Sequence, residues 1–220
     1  MTQKQTKRSL KTLKNINFLK SAINTENFPR TMVPEIAIVG RSNAGKSSIL
    51  NAICFRKQLA KTSKTPGKTQ LLNFYSINER EIEIARLVDL PGYGYAKVDK
   101  LTKSFWNKKL LSFLIKRKNI IGIILVTDIR HPLGKLDMLL LENLISKQIF
   151  FHVLFNKSDK IKRSSINFTV NHSLDNFLNK LPEYSNKVSF SLFSTLKRNG
   201  IEELTSIIDS WIKSSIEIVD

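Results

Sequence analysis

Short apolar runs alternate with longer stretches in which apolar residues return every three or four positions. The short runs predict strands at Phe18–Ala22, Ile36–Val39, Leu71–Ile77, Ile82–Val88, Ile120–Thr127, Ile149–Phe155 and Lys187–Leu192. The longer stretches predict helices at Lys46–Phe55, Leu101–Arg117, Lys135–Ser146, about Ser164–Lys180 and Ile201–Ile212. In the last of these Ile201, Leu204, Ile207, Ile208, Trp211 and Ile212 make one stripe. Asn78-Glu79-Arg80 is short enough to be a hairpin turn, so the strands on either side of it should be antiparallel. The remaining alternation predicts an α/β fold: a mostly parallel sheet with one antiparallel pair and helices on both faces. In such folds ligands bind where loops leave the carboxyl ends of the strands.

Composition narrows the class. The chain has 220 residues, 41% hydrophobic and 25% charged, enough for one domain with a sizeable core. Its apolar runs are too short to span a bilayer, so no stable membrane insertion is expected. The opening MTQKQTKRSLKTLKN is basic but lacks the apolar stretch of a secretory signal. One cysteine, Cys54, allows no internal disulfide and suits a reducing cytoplasm. The formal charge of +18 implies attraction to a polyanion, either RNA or an anionic membrane face. A coding bias towards lysine is the other source of that charge, because the lysines are spread along the chain.

Three motifs fall at predicted strand ends. Gly40-Arg41-Ser42-Asn43-Ala44-Gly45-Lys46-Ser47 follows one strand and opens a helix, in the pattern G-x-x-x-x-G-K-[ST]. Its amides and the helix N-terminus favour phosphate, Lys46 suits the β- and γ-phosphates, and Ser47 offers a hydroxyl to Mg²⁺. Asp89-Leu90-Pro91-Gly92 ends a second strand; Asp89 suits a Mg²⁺-bound water and the Gly92 amide a γ-phosphate. Asn156-Lys157-Ser158-Asp159 ends a third. The Asp159 carboxylate matches the N1–H and 2-amino group of guanine together, the Lys157 stem can cover the base, and Asn156 can tie this loop to the phosphate loop. Phe193-Ser194-Thr195 ends a further strand, where backbone amides are expected to serve the guanine O6. Chain order and spacing together point to a Mg²⁺-dependent protein that binds GTP and GDP.

Ser63-Lys64-Thr65-Pro66-Gly67-Lys68-Thr69-Gln70-Leu71, taken with GRSNAGKSS (Gly40–Ser48) and DLPGYGYAKV (Asp89–Val98), closely resembles the EngB (YihA/YsxC) family of bacterial GTPases, of the TrmE-Era-EngA-YihA-septin class. Asp128-Ile129-Arg130, NKSDK and FSTLKRNG are similar too, although NKSD stands where TKAD is frequent in the family. The resemblance implies a three-layer Ras-like P-loop GTPase fold over residues 18–220; the polar, basic residues 1–17 before it are expected to be flexible. It implies hydrolysis of GTP to GDP and phosphate in the cytoplasm, with Lys46, Thr69 and Gly92 as the reacting set. It also implies a role in large ribosomal subunit assembly, through rRNA or ribosomal proteins, and in normal division and septation. Thr69 becomes the switch-one metal ligand within the nucleotide-binding run Gly67-Lys68-Thr69-Gln70-Leu71. Its place just before a strand supports that choice, and Thr65 is the alternative. Asn43 sits where cation-dependent relatives place a K⁺-coordinating asparagine. A monomer is expected.

Tyr93 occupies the position at which many GTPases carry a water-orienting glutamine, so slow intrinsic hydrolysis is expected. Two loops, about 61–70 and 92–100, are expected to order around the γ-phosphate. His131, His152 and His172 show no metal-ligand spacing, and Phe105, Trp106, Leu110, Phe113 and Leu114 read as a core stripe. Two other classes fit parts of the pattern: a P-loop small-molecule kinase, and an RNA-binding module with a structural nucleotide. Asp128 and Arg130 suggest a brace or a mutual pair, with no firmer role.

Overall fold

Residues 36–39 carry no polar side chain, and a strand of that kind needs cover on both faces. The computed structural model, which describes residues 13–56, 58–60, 71–94, 109–185 and 187–216, supplies it. Strands β1 (Ile16–Ala22), β2 (Glu35–Gly40), β3 (Leu72–Glu79), β4 (Ile82–Asp89), β5 (Ile120–Asp128), β6 (Phe150–Asn156) and β7 (Val188–Leu192) form a sheet in the order β1-β3-β4-β2-β5-β6-β7. The helices are α1 (Lys46–Ile53), α2 (helical over 109–116), α3 (Lys135–Glu142), α4 (Arg163–Lys180) and α5 (Ile201–Ile216). Alternate residues of each central strand enter different cores. Ala37, Val39, Ile123 and Leu125 meet residues of α2, α3 and α4, such as Phe113, Leu141 and Phe177. Ile36, Ile38, Ile124 and Val126 meet Ile49 and Ile53 of α1 and Leu204 and Ile208 of α5. Cys54 is buried in this second core, where burial pushes its thiol up to about 12 and leaves it inert.

The expected antiparallel pair is β3–β4, and β1 adds an antiparallel ladder on the far side of β3. The β3–β4 hairpin turns at Arg80 and Glu81, with φ of 49° and 69°, rather than at Asn78–Arg80. Two left-handed residues give the strand twist its matching turn, and the absence of Gly or Asn there hid it from the sequence. Helix α1 stops before the expected Phe55, which takes a left-handed φ of 54°. Helix α3 ends at Glu142 rather than Ser146. The Asn143 amide donates to the Leu139 carbonyl at 2.7 Å, and the following turns tighten to i−3 bonds. Leu13 and Ile16, within the segment 1–17, are fully buried. Phe105 and Trp106 lie outside the described residues, whereas Phe113 and Leu114 are in the core as expected.

At the amino end of β2, where Glu35 pairs with Arg86 of β4, a charged cluster has a fully buried centre. Glu35, with no exposed surface, accepts from Arg86 at 3.1 Å and from Arg117 at 2.6 and 2.8 Å. Arg86 also donates to Glu83 and to the Thr31 hydroxyl, and Arg117 to the Pro29 carbonyl at 2.9 Å. These bonds hold segment 29–34 against the sheet.

On the opposite side of β5, the Trp211 indole of α5 lies flat on Gly122 and stacks with Phe150 at 5.4 Å. A Cβ at 122 would sit 2.4 Å from the indole. The contact exists only because that position carries no side chain.

His152 is fully buried between β6 and β7, its ring nitrogens 2.9 and 2.8 Å from the hydroxyls of Ser189 and Ser191. Burial lowers its pKa from 6.5 to about 4. Between those values the unfolded chain holds a proton that the folded one refuses, so stability falls as pH falls from 6.5 to 4. The loss amounts to about 3 kcal/mol by the usual conversion. Urea titrations across this range should show a steeper acid decline for the native chain than for His152→Gln; parallel declines would refute the assignment.

Candidate nucleotide site

The three motifs meet at the carboxyl ends of neighbouring strands. Segment Gly40–Gly45 leaves β2 and curls into the first turn of α1. Gly45 takes φ +104°, and a Cβ there would lie 2.3 Å from the Asn156 amide, so only glycine permits the turn and the approach together. Asn43 also takes a left-handed φ, 65°, an uncommon state for a residue with a side chain. Ala44 is buried beneath the loop, whereas Arg41 and Asn43 are exposed. The Ser42 amide donates to the Tyr93 carbonyl at 2.8 Å, and Arg41 bridges the same residue, joining this loop to the segment after Asp89.

Lys46 and Asp89 are both buried at this junction. The Lys46 ammonium donates to the Gly40 carbonyl at 3.2 Å, and the Ser47 hydroxyl donates to Asp89 Oδ2 at 3.2 Å. Burial lowers the Lys46 pKa and raises that of Asp89, and each charge partly restores the other. Asp89 Oδ1 is buried without a hydrogen-bond partner. An orphaned carboxylate oxygen beside a serine hydroxyl fits the hard oxygen set of a hydrated divalent cation. Leu90 is buried and its amide donates to Ile38 O at 3.1 Å, while Pro91 is half-buried. Gly92 lies on the phosphate loop: a Cβ there would be 2.8 Å from Ser42 Cα and 2.9 Å from the Lys46 ammonium.

The third loop is bound to the first. The Asn156 amide donates to Ala44 O at 2.7 Å, as expected, and its own Oδ1 is buried without a partner. Lys157, at φ 62°, donates to Asn43 O at 2.7 Å and to Asp128 Oδ2 at 2.9 Å. Asp128 pairs with Arg130 at 2.7 Å, one of the two readings that their sequence positions offer, and it also holds Lys157, which those positions do not reveal. Burial opposes its charge, but the bonds from Arg130 and Lys157 outweigh this and keep its pKa below the ordinary carboxylate range.

Asp159 Oδ1 accepts from the Ser194 hydroxyl at 2.5 Å, which lowers its pKa and keeps it ionised. Ser158 donates through its hydroxyl and its amide to the Phe193 carbonyl, at 3.0 and 3.1 Å. Two of the three amides at 193–195 are engaged within the protein. The amides of Phe193 and Ser194 already donate to Phe155 O and Asn199 O, at 2.9 and 3.2 Å. Of the three, only the Thr195 amide is left to serve a ligand. Phe193 and Ser194 act through the carbonyl and the hydroxyl that hold Ser158 and Asp159.

Leu71 begins the described run before β3, half out of the core. Thr65, Gly67, Lys68, Thr69 and Gln70 lie outside the described residues, as does the segment after Gly94 up to residue 108. Among the described residues no cluster of three or more His, Cys, Asp or Glu side chains is placed to hold a metal, and no helix is long and apolar enough to cross a membrane.

Residues 35–157 match the family model described as "50S ribosome-binding GTPase". A "Probable GTP-binding protein EngB" of Coxiella burnetii (strain CbuG_Q212) is 42% identical over 197 residues, covering 90% of this chain and 92% of that protein. One of the same description from Acinetobacter baumannii is 44% identical over 183 residues, covering 83% of each. The crystal structure of a probable GTP-binding protein engB superposes with a TM-score of 0.65 at 24% identity, over 82% of this chain and 99% of that one, and shares the fold.

Proposed function

The chain belongs to the EngB family of GTP-binding proteins, and from that premise we propose that it is a Mg²⁺-dependent GTPase switch acting in assembly of the large ribosomal subunit. One observation carries the nucleotide reading: the Asn156–Ala44 hydrogen bond of 2.7 Å locks the loop bearing Asp159 to the loop bearing Lys46. Base recognition and phosphate grip thereby sit at a fixed separation.

Ser47 and, by the family resemblance, Thr69 would hold Mg²⁺, and the unpartnered Asp89 Oδ1 would serve its hydration shell. The ion when bound supplies charge neutralisation at the β- and γ-phosphates. The protein does the rest. Lys46 faces the same oxygens, the Gly92 amide meets the γ-phosphate, and Asp159 takes the guanine N1–H and 2-amino group. By the family resemblance Gly67, Lys68, Gln70 and Leu71 belong to the nucleotide-binding set together with Thr69. The Tyr93 side chain carries no amide to aim at an attacking water, and its hydroxyl is engaged by Asp137. Intrinsic hydrolysis is accordingly slow, and a partner or a K⁺ ion near Asn43 completes the site.

The charge of +18 supports a polyanionic partner, and the matched model's description names the 50S ribosome. The action is cytoplasmic, and the effect on division and septation follows from the family resemblance. The test is calorimetry with GDP, GTP and ATP, followed by co-sedimentation with large ribosomal subunits in each nucleotide state. GTP and GDP should bind at least a hundredfold more tightly than ATP, on the scale of a polar site that rejects a mismatched base. Pelleting with subunits should require a GTP analogue. Equal pelleting with GDP would make the nucleotide structural instead.

A further inference from the structure

Tyr93 is held at both ends. Its carbonyl accepts from the Ser42 amide of the phosphate loop at 2.8 Å, and its hydroxyl donates to Asp137 Oδ1 at 2.5 Å. Asp137, with no exposed surface, is itself fixed. Its Oδ2 accepts from the Gly134 amide at 2.8 Å and so closes the first turn of α3. The Arg41 guanidinium lies beside the same group, its Nη1 3.3 Å from where a Gly134 Cβ would stand. Neither Tyr93 nor Asp137 belongs to a nucleotide-binding motif. The residue between this anchor and Asp89-Leu90-Pro91 is Gly92, whose backbone is pressed onto Ser42 and the Lys46 ammonium.

We propose that Tyr93 and Asp137 are positioning residues that hold the Gly92 amide on the phosphate loop before a γ-phosphate arrives, and so set how tightly GTP is bound relative to GDP. An amide already in place meets the third phosphate without the ordering loss that a free segment would suffer on binding. GDP has no γ-phosphate to meet that amide, so its affinity does not depend on the anchor. The inference rests on the guanine-nucleotide reading above and adds two residues to it.

The test is titration of Tyr93→Phe, Asp137→Asn and the double variant with Mg²⁺-GDP and with Mg²⁺ and a non-hydrolysable GTP analogue, beside thermal melting. Tyr93→Phe keeps the ring and removes the hydroxyl. It should weaken the analogue by about three- to tenfold, the scale of one hydrogen bond, and leave GDP within about twofold. Asp137→Asn keeps an acceptor for Gly134 and a partner for the phenol, and should stay close to the native ratio. The double variant should show no larger ratio change than Tyr93→Phe alone, because the phenol is already gone. Equal weakening of both nucleotides would reduce the anchor to a structural contact and overturn the proposal, as would no change in either. Failure of the native chain to bind either nucleotide would instead overturn the reading beneath it.

Discussion

Asp159→Asn is expected to lower affinity for GTP and GDP by about two to four orders of magnitude, the cost of two charge-assisted hydrogen bonds. The same change should raise affinity for xanthine nucleotides. An amide in place of the carboxylate still accepts from the base N1–H, but its NH₂ now faces the 2-position, where guanine presents a second donor and xanthine a carbonyl oxygen. The fold should survive, since Asn Oδ1 can still accept from the Ser194 hydroxyl that now meets Asp159 at 2.5 Å. The measurement is calorimetric titration with GDP and xanthosine diphosphate, alongside melting curves. A variant that melts normally and still prefers guanine would remove Asp159 from base recognition. Ser194 lowers the pKa of Asp159, so the native preference for guanine should persist into mildly acidic buffer.

The largest expected effect on stability lies at the other end of the sheet. Glu35→Ala would leave Arg86, which is fully buried, with only Glu83 as a carboxylate partner, and Arg117 with none among the ion pairs of this cluster. Breaking a buried ion pair on one side costs about 3–5 kcal/mol, because the remaining charge stays out of water. Against a total of about 5–15 kcal/mol for a domain, the variant should be close to unfolding at 37 °C. Glu35→Gln retains one acceptor and should lose less. Urea unfolding of both, with nucleotide absent, measures the difference. A loss below about 1 kcal/mol for Glu35→Ala would mean that the arginines find water or other partners.

Strand positions, helix faces and the phosphate and base loops were legible because each rests on local chemistry. Residues 36–39 can only be a strand covered on both sides, and Gly45 and Lys46 can be followed from a strand into a helix. Long-range partners were less accessible. Nothing near Asp137 in sequence points to Tyr93, forty-four positions away, and the bond between them depends on how α3 packs. The pairing of Asp128 with Arg130, two positions away, is legible, but its second partner Lys157 is twenty-nine positions on, on the next strand's exit loop. At 193–195 a tripeptide does not disclose which of its amides the fold uses internally. Arg80 and Glu81 are residue types that poorly indicate the left-handed backbone both adopt, so the place of this turn is not legible in the sequence.

The flat seat of Trp211 on Gly122 carries a genetic consequence. Any substitution at 122 would push the indole off the sheet, and shrinking the indole alone would leave a void beneath it. Neither site can drift independently. A lineage that altered one would have to alter the other in the same step or soon after, so the two codons should show up as a compensating couple in any mutational library selected for folding.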